Sequence, residues 1–352
     1  MVWGRIYRKK GGLPVEKEES IGTWTLIILN LLVYGFVALH GKPTDPTVML
    51  KYGAKWAPEI YAGQWWRFLT APFLHFGLIH LGMNLYALFA VGPQVEHLFG
   101  WFKFVLIYLF AALWGVLGSL YFSPQSLSAG ASGAIFGLVG ALLCFALLYR
   151  QYMRPGALVN LLVVIGANLA LGLIIRGIDN FAHLGGLVAG FCVAFLLSFK
   201  GKKRILAVTL FGVLTLFLIK GAAFPPAGSW RQLSAAGSRA LASEDYPLAV
   251  RQLEEARLKA PTSMAGYFAP QLAQAHFYLG NEFLEQGKSQ AAEHYLKSLA
   301  YQQDPATYHN LVLAYLSFEN EKKARETLAQ ALELYPQEDN LLKLKREFER
   351  RS

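Results

Sequence analysis

The residues of this 352-residue chain whose types could do chemistry together are Ser132, within Gly130-Ala131-Ser132-Gly133, His183, and the pair His80 and Asn84. All lie inside long apolar segments, where a serine, two histidines and an asparagine are costly unless they serve one another. Serine with histidine is the smallest set that turns a hydroxyl into a nucleophile. Ser132 opens an apolar span, and a helix N-terminus leaves N–H groups free to face an anionic oxygen. Taken alone, a serine there commonly bonds its own backbone. His183 changes that reading because it sits near the same end of its own span as Ser132 does. Gly186 and Gly190 give the His183 helix a small-xxx-small face. Such a face permits the approach that a Ser–His hydrogen bond of roughly 2.6–3.2 Å demands. His80 and Asn84 are four apart and share a helix face. Both could donate to an oxyanion, an effect of about 3 kcal/mol per donor in a dry site, or serve interhelical packing. His75 is poorly spaced from His80 for a shared metal and no carboxylate accompanies them, so neither a metal nor a cofactor is predicted.

The elements that must position these residues are membrane helices. The chain is 54% hydrophobic and 16% charged, and nearly all the apolar sequence precedes about residue 220. Apolar spans run over 22–40, 68–91, 102–122, 131–149, 156–175, 180–199 and 205–220. Most approach the ~20 residues that cross ~30 Å of hydrocarbon, the seventh being the shortest. The first span is read as an uncleaved helix rather than a signal peptide, because Glu16, Glu18 and Glu19 separate it from the basic cluster at Arg5 to Lys10. With residues 1–20 in the cytoplasm, Lys103, Arg150, Arg154 and Lys200 to Arg204 fall in cytoplasmic loops, and only the Arg176 turn breaks the positive-inside rule. The net charge of +10 is thus a matter of topology, and no basic stripe suggests nucleic acid. Cys144 and Cys192 lie within spans and form no disulfide framework.

The last third is amphipathic. Leu233 to Pro261, Leu279 to Pro305 and Leu311 to Pro336 fit three helix-turn-helix units in which small residues let paired helices approach. About ten extra residues near Met264 to Pro270 suggest an additional helix, and 338–350 a polar capping helix. The predicted fold is all-α, with segments at 1–20 (cytoplasmic), 21–200 (core), 201–228 (seventh membrane helix and linker) and 229–352 (repeats).

Taken together, His80-x-x-x-Asn84, Gly130-x-Ser132-Gly133 and Ala182-His183-Leu184-Gly185-Gly186 resemble the motifs of the rhomboid family of intramembrane serine proteases. Trp66-Arg67 is similar to the tryptophan–arginine pair of that family's first outer loop, and Phe136 stands where the family often stacks an aromatic on the histidine. The resemblance covers roughly residues 20–200, and the tail is similar to a bacterial subgroup carrying tetratricopeptide repeats. It implies a Ser132–His183 dyad without an acidic third member, and an oxyanion site made by His80, Asn84 and the Ser132 N–H. It implies transmembrane proteins as substrates, cut near the outer face, while the count of seven spans puts the repeat domain outside the cytoplasm, where it could hold a substrate or partner. A non-cleaving membrane adaptor of the same family is the alternative reading.

Overall fold

A computed structural model of the chain describes residues 20–152, 154–175 and 177–351. The basic cluster at Arg5 to Lys10 and Arg176 therefore lie outside the described residues. The chain divides into two compact units, 1–224 and 225–352. Among the described residues both are helical, with one isolated bridge between Lys55 and Ser128 and no strand.

The first unit contains α1 (Ile21–His40), short helices α2 (Pro46–Lys51), α3 (Ala57–Tyr61) and α4 (Arg67–Thr70), then α5 (Gly77–Phe99), α6 (Trp101–Phe122), α7 (Ser132–Leu148), α8 (Ala157–Ile174), α9 (Asn180–Leu197) and α10 (Gly201–Ala223). Six of these are long and apolar enough to cross a membrane, and α7 is a shorter apolar helix of 17 residues. Outward side chains such as Ile79, Leu173 and Phe217 are more than two-thirds exposed, as lipid-facing residues are. The unit is a multi-pass membrane bundle.

Three sequence expectations are corrected. The second span does not begin at 68. Pro72 sits in a one-turn 3₁₀ segment, Leu74 is extended, and Gly77 takes φ +84°, so the long helix starts at Gly77 and continues to Phe99. The late end has a use, because Glu96 is buried and accepts hydrogen bonds from the Gly22 and Thr23 N–H groups and the Thr23 hydroxyl at 2.7–2.8 Å. A carboxylate thus caps the positive N-terminus of α1, where Ser20 makes no side-chain cap. Second, α10 is not the shortest span, since it runs 23 residues. Trp114 of α6 fastens it by stacking on Phe211 at 5.2 Å and donating to the Thr215 hydroxyl. Third, Lys103 is in the first turn of α6 rather than in a loop, because Gly100 alone links α5 to α6.

The short helix α7 is the centre of the bundle and is buried along almost its whole length. It is apolar on every side because protein surrounds it on every side. At 17 residues it spans only ~25 Å, less than the ~30 Å hydrocarbon core. Irregular backbone at such depth is tolerated only where its polar groups are satisfied by protein, and this governs the segment that leads into α7.

The second unit consists of α11 (Trp230–Ala242), α12 (Tyr246–Lys259), α13 (Ala265–Glu285), α14 (Gln290–Tyr301), α15 (Pro305–Ser317), α16 (Glu321–Leu334) and α17 (Asp339–Arg351), each packed on the next. The extra residues near Met264 to Pro270 do not form a separate helix. They lengthen α13 to 21 residues, with Pro270 one turn inside its start. The three hairpins close alike. Glu244, Gly287 and Glu319 each take positive φ, and the following N–H reaches back five residues, Asp245 to Ala240 O, Lys288 to Phe283 O and Asn320 to Tyr315 O, at 2.8–2.9 Å. This is the left-handed closure of a helix C-terminus. Gly237 and Gly280 face Leu253 and Tyr295 so closely that a Cβ would sit 2.7 Å from each.

Two stability measurements follow. A Cβ at Gly190 would meet the Gly137 carbonyl, and backbone cannot yield as a side chain can. Gly190→Ala should therefore destabilise the bundle by at least the ~1–3 kcal/mol typical of overpacking, read as a lowered unfolding midpoint in detergent. In the second hairpin, burial, then His294, hold His276 down at about 4, below its ordinary 6.5. Its Nδ1 lies 2.9 Å from that of His294. The unfolded hairpin takes up a proton near 6.5 and the folded one only near 4. Stability is complete above 6.5 and falls between those values, so amide protection in α13 and α14 should decline on acidification across that window.

Candidate active site

Ser132 is the first residue of α7 and follows Ala131 at the N-cap. Its N–H lies in the turn that has no intrahelical acceptor. His183 lies one turn into α9, which Asp179 caps by accepting from the Ala182 N–H at 3.0 Å. The other carboxylate oxygen of Asp179 accepts from the Ser119 hydroxyl. Asp179 thus secures α9 from outside the His183 ring, whose Nδ1 is buried with no partner. Among the described residues no acidic side chain hydrogen-bonds the imidazole.

Glycine sets the distance between the two helices. A Cβ at Gly186 would collide with the Gly133 carbonyl, and one at Gly190 with that of Gly137. A Cβ at Gly133 would stand 3.2 Å from the Ala182 carbonyl. The neighbours of Ser132 and His183 therefore touch backbone to backbone. One turn along α7, Phe136 stacks on the His183 ring with centroids 4.2 Å apart and planes within 5°. The Ser132 hydroxyl does not hydrogen-bond His183 in this arrangement. Such bonds are commonly long in ligand-free enzymes and tighten on binding.

His80 and Asn84 come from α5. The Phe76 N–H donates to His80 Nδ1 at 3.2 Å, which places the ring proton on Nε2. The Cε1–Nε2 edge of the ring lies against Gly130, where a Cβ would stand 2.8 Å from Cε1, 2.9 Å from Nε2 and 3.9 Å from Ser132 Oγ. Gly130, at φ +135°, has no side chain, and any side chain there would push His80 aside. Asn84 is buried and spends one amide N–H on the His80 carbonyl at 2.9 Å, which leaves its second N–H for another acceptor.

The irregular segment 123–131 has its polar groups met by residues 55–75. Lys55, only 1% exposed, donates through Nζ to the Ser123 carbonyl (2.6 Å), the Ser126 carbonyl (2.9 Å) and the Ser126 hydroxyl (3.1 Å). Its backbone pairs with Ser128 in both directions. The Gly130 N–H donates to Ala71 O at 3.0 Å, and the Ala131 N–H reaches His75 Nε2 at 3.4 Å. Burial, opposed by Asp179, pushes the Lys55 ammonium down to about 7. Burial, reinforced by His80, holds His75 at about 3, so that ring is neutral and can accept. Arg67 is buried and donates to the Leu50 and Ala54 carbonyls, which fixes the stretch entering Lys55. Its neighbour Trp66 is 46% exposed.

Sequence reasoning overlooked Lys55 and weighed His75 only as a metal ligand. A lone lysine in the apolar stretch Gly53-Ala54-Lys55-Trp56-Ala57 is the signal that was available. Among the described residues no group of acidic, histidine and cysteine side chains could hold a metal.

Residues 62–200 match the family model described as Rhomboid domain. Rhomboid protease GluP of Bacillus subtilis is 38% identical over 219 residues, 61% of this chain and 43% of that protein. RHOMBOID-like protein 6, mitochondrial, of Arabidopsis thaliana is 39% identical over 178 residues, 48% of this chain and 57% of that protein. RHOMBOID-like protein 2 of Arabidopsis thaliana is 41% identical over 159 residues, 44% of this chain and 49% of that protein. The chain spans about half the length of these relatives.

The brace is open to direct measurement. Lys55→Met keeps the apolar stem and removes three hydrogen bonds. Hydrogen exchange at Ser128, Gly130 and Ala131 should then accelerate by at least ~5-fold, one lost net hydrogen bond being worth about 1 kcal/mol. Amides in the middle of α7 should stay protected. Unchanged exchange in 123–131 would show that the backbone pairing suffices.

Proposed function

We propose that this chain, whose residues 62–200 belong to the rhomboid family, is an intramembrane serine endopeptidase that cleaves transmembrane segments of membrane proteins. Ser132 is the nucleophile and His183 the general base. The Ser132 N–H, His80 Nε2–H and the free Asn84 N–H form the oxyanion site. Gly130, Gly133, Phe136, Gly186 and Gly190 hold the geometry, and Trp66-Arg67 brace the outer segment. The observation that carries this reading is the glycine contact that brings the helices bearing Ser132 and His183 backbone to backbone, with Phe136 flat on the His183 ring.

The chemistry follows from the groups present. His183 takes the Ser132 proton as Oγ bonds to the peptide carbonyl carbon, and the carbonyl oxygen becomes an oxyanion among the donors. His183 then gives the proton to the leaving amine as the C–N bond breaks. Water attacks the acyl-serine by the same route in reverse and frees the acid. Stacking on Phe136 keeps the ring plane fixed without a carboxylate. A substrate helix must unwind locally, because its carbonyls are otherwise hydrogen-bonded, and glycine near the cut lowers that cost.

The second unit is read as a tetratricopeptide-like solenoid that recruits a substrate or partner. Three hairpins with one closure and the terminal α17 support this, since stacked repeats need a polar cap. We infer that the repeats face the same compartment as the Ser132 opening, which a count of seven membrane helices, α7 included, supports. Tethering there raises the effective concentration of a bound substrate.

Ser132→Ala and His183→Ala should each abolish cleavage of a model transmembrane substrate in proteoliposomes while the unfolding midpoint stays near that of the unaltered protein. Wild-type turnover in Ser132→Ala would refute the serine mechanism, and no cleavage by the unaltered protein would leave a non-cleaving role as the better reading. Asn84→Ala should lower kcat by ~10²–10³. For the topology, a tag at Ser352 should be removed by protease added to intact cells. A tag protected until the membrane is permeabilised would place the repeats inside.

A further inference from the structure

The bundle has a second site at the end away from Ser132. There the C-terminal ends of α5, α7 and α9 and the N-terminal ends of α6 and α10 enclose a cavity of about 270 Å³. Leu98, Phe145, Leu148 and Leu197 form apolar wall, while Lys103, Lys200 and Arg204 line the same space. Among the described residues no carboxylate lines it, and none of these three cations is in an ion pair with another described residue. Two helix N-termini open beside it. Neither α6, after Gly100, nor α10, after Lys200, has a side-chain cap, so each leaves free N–H groups and a positive dipole end.

With no described carboxylate among them, three cations and two uncapped helix starts around one cavity favour an anion there. The apolar wall argues against a small hydrated anion and for one that brings hydrocarbon with it. The ends of membrane-crossing helices also lie where bilayer headgroups lie, and basic pockets between such helices suit anionic headgroups. We propose that this cavity binds one anionic phospholipid, with its phosphate between Lys103, Lys200 and Arg204 and the start of an acyl chain on the apolar wall. The bound lipid would tie α6 to α9 and α10, and the inference stands apart from the proposed protease activity.

The test uses the full chain in nanodiscs of equal parts phosphatidylglycerol and phosphatidylcholine, released for native mass spectrometry. Wild type should retain phosphatidylglycerol in preference to phosphatidylcholine. The triple variant Lys103→Gln, Lys200→Gln, Arg204→Gln should lose that retention by roughly a hundredfold, from the contribution of three cations near an anionic headgroup. A matched control, Arg150→Gln, Lys202→Gln, Lys203→Gln, removes the same charge from residues of this region that do not line the cavity, and should retain the lipid. Equal loss in both variants would mean diffuse attraction and overturn the site. Equal retention of the two lipids by wild type would also overturn it. A second measurement needs no variant. Phosphatidylglycerol added to detergent-solubilised wild type should raise its unfolding midpoint, and phosphatidylcholine or inorganic phosphate should not. An equal rise with inorganic phosphate would assign the cavity to a free anion and refute the lipid.

Discussion

The backbone contact between α7 and α9 is the constraint on which the candidate site depends. Where Gly186 meets the Gly133 carbonyl and Gly190 that of Gly137, the helices approach more closely than any side chain would allow. Apolar side chains alone cannot drive this association in lipid, since hydrocarbon is outside as well as inside, and close van der Waals packing of small residues takes over. With that approach fixed, Phe136 lies flat on His183, and the residues before Gly133 and after Ala182 are brought side by side. Ring stacking on Phe136 fixes the plane of His183, the role a buried aspartate plays for the histidine of soluble serine hydrolases. A buried carboxylate would carry a desolvation cost of several kcal/mol.

The second dependence is on the segment before α7. A helix too short for the bilayer leaves 123–131 at depth, and its polar backbone must be met by protein. Lys55 has three N–H donors and finds three acceptors, while Ala71 and His75 take the N–H groups of Gly130 and Ala131. Arg67 in turn holds the stretch that carries Lys55. The brace runs from Arg67 through Lys55 to Ser123, Ser126 and Ser128, while Ala71 and His75 hold the two residues before Ser132, so distant residues help set where its hydroxyl stands.

Much of this was legible in the residues. Ser132, His183, His80 and Asn84 stand out because polar groups are rare in apolar spans, and the spacing of Gly186 and Gly190 announces a contact face. Local chemistry also foretold the helix pairs of the second unit. What periodicity could not show was where a helix starts when the flanking loop is itself apolar. The run from Phe68 onward reads as span, yet Pro72 and the positive φ of Gly77 divide it. Nor could it show the Lys55 brace, which joins positions some 70 residues apart, or that the extra residues before α13 extend that helix through Pro270. Pro270 stands past the first turn of α13 and forfeits one helical N–H bond there, yet the helix runs through it.

The central claim is that the glycine contact makes Ser132 a nucleophile through His183. An organophosphonate that phosphonylates only activated serines tests it on the reconstituted protein, with intact mass and peptide mapping as the readout. The account expects a single adduct on Ser132, formed at a rate that falls by ~10² or more in His183→Ala, the upper range of a general base's contribution being about 10⁴. An adduct on another residue, or one on Ser132 that forms as fast without His183, would contradict it.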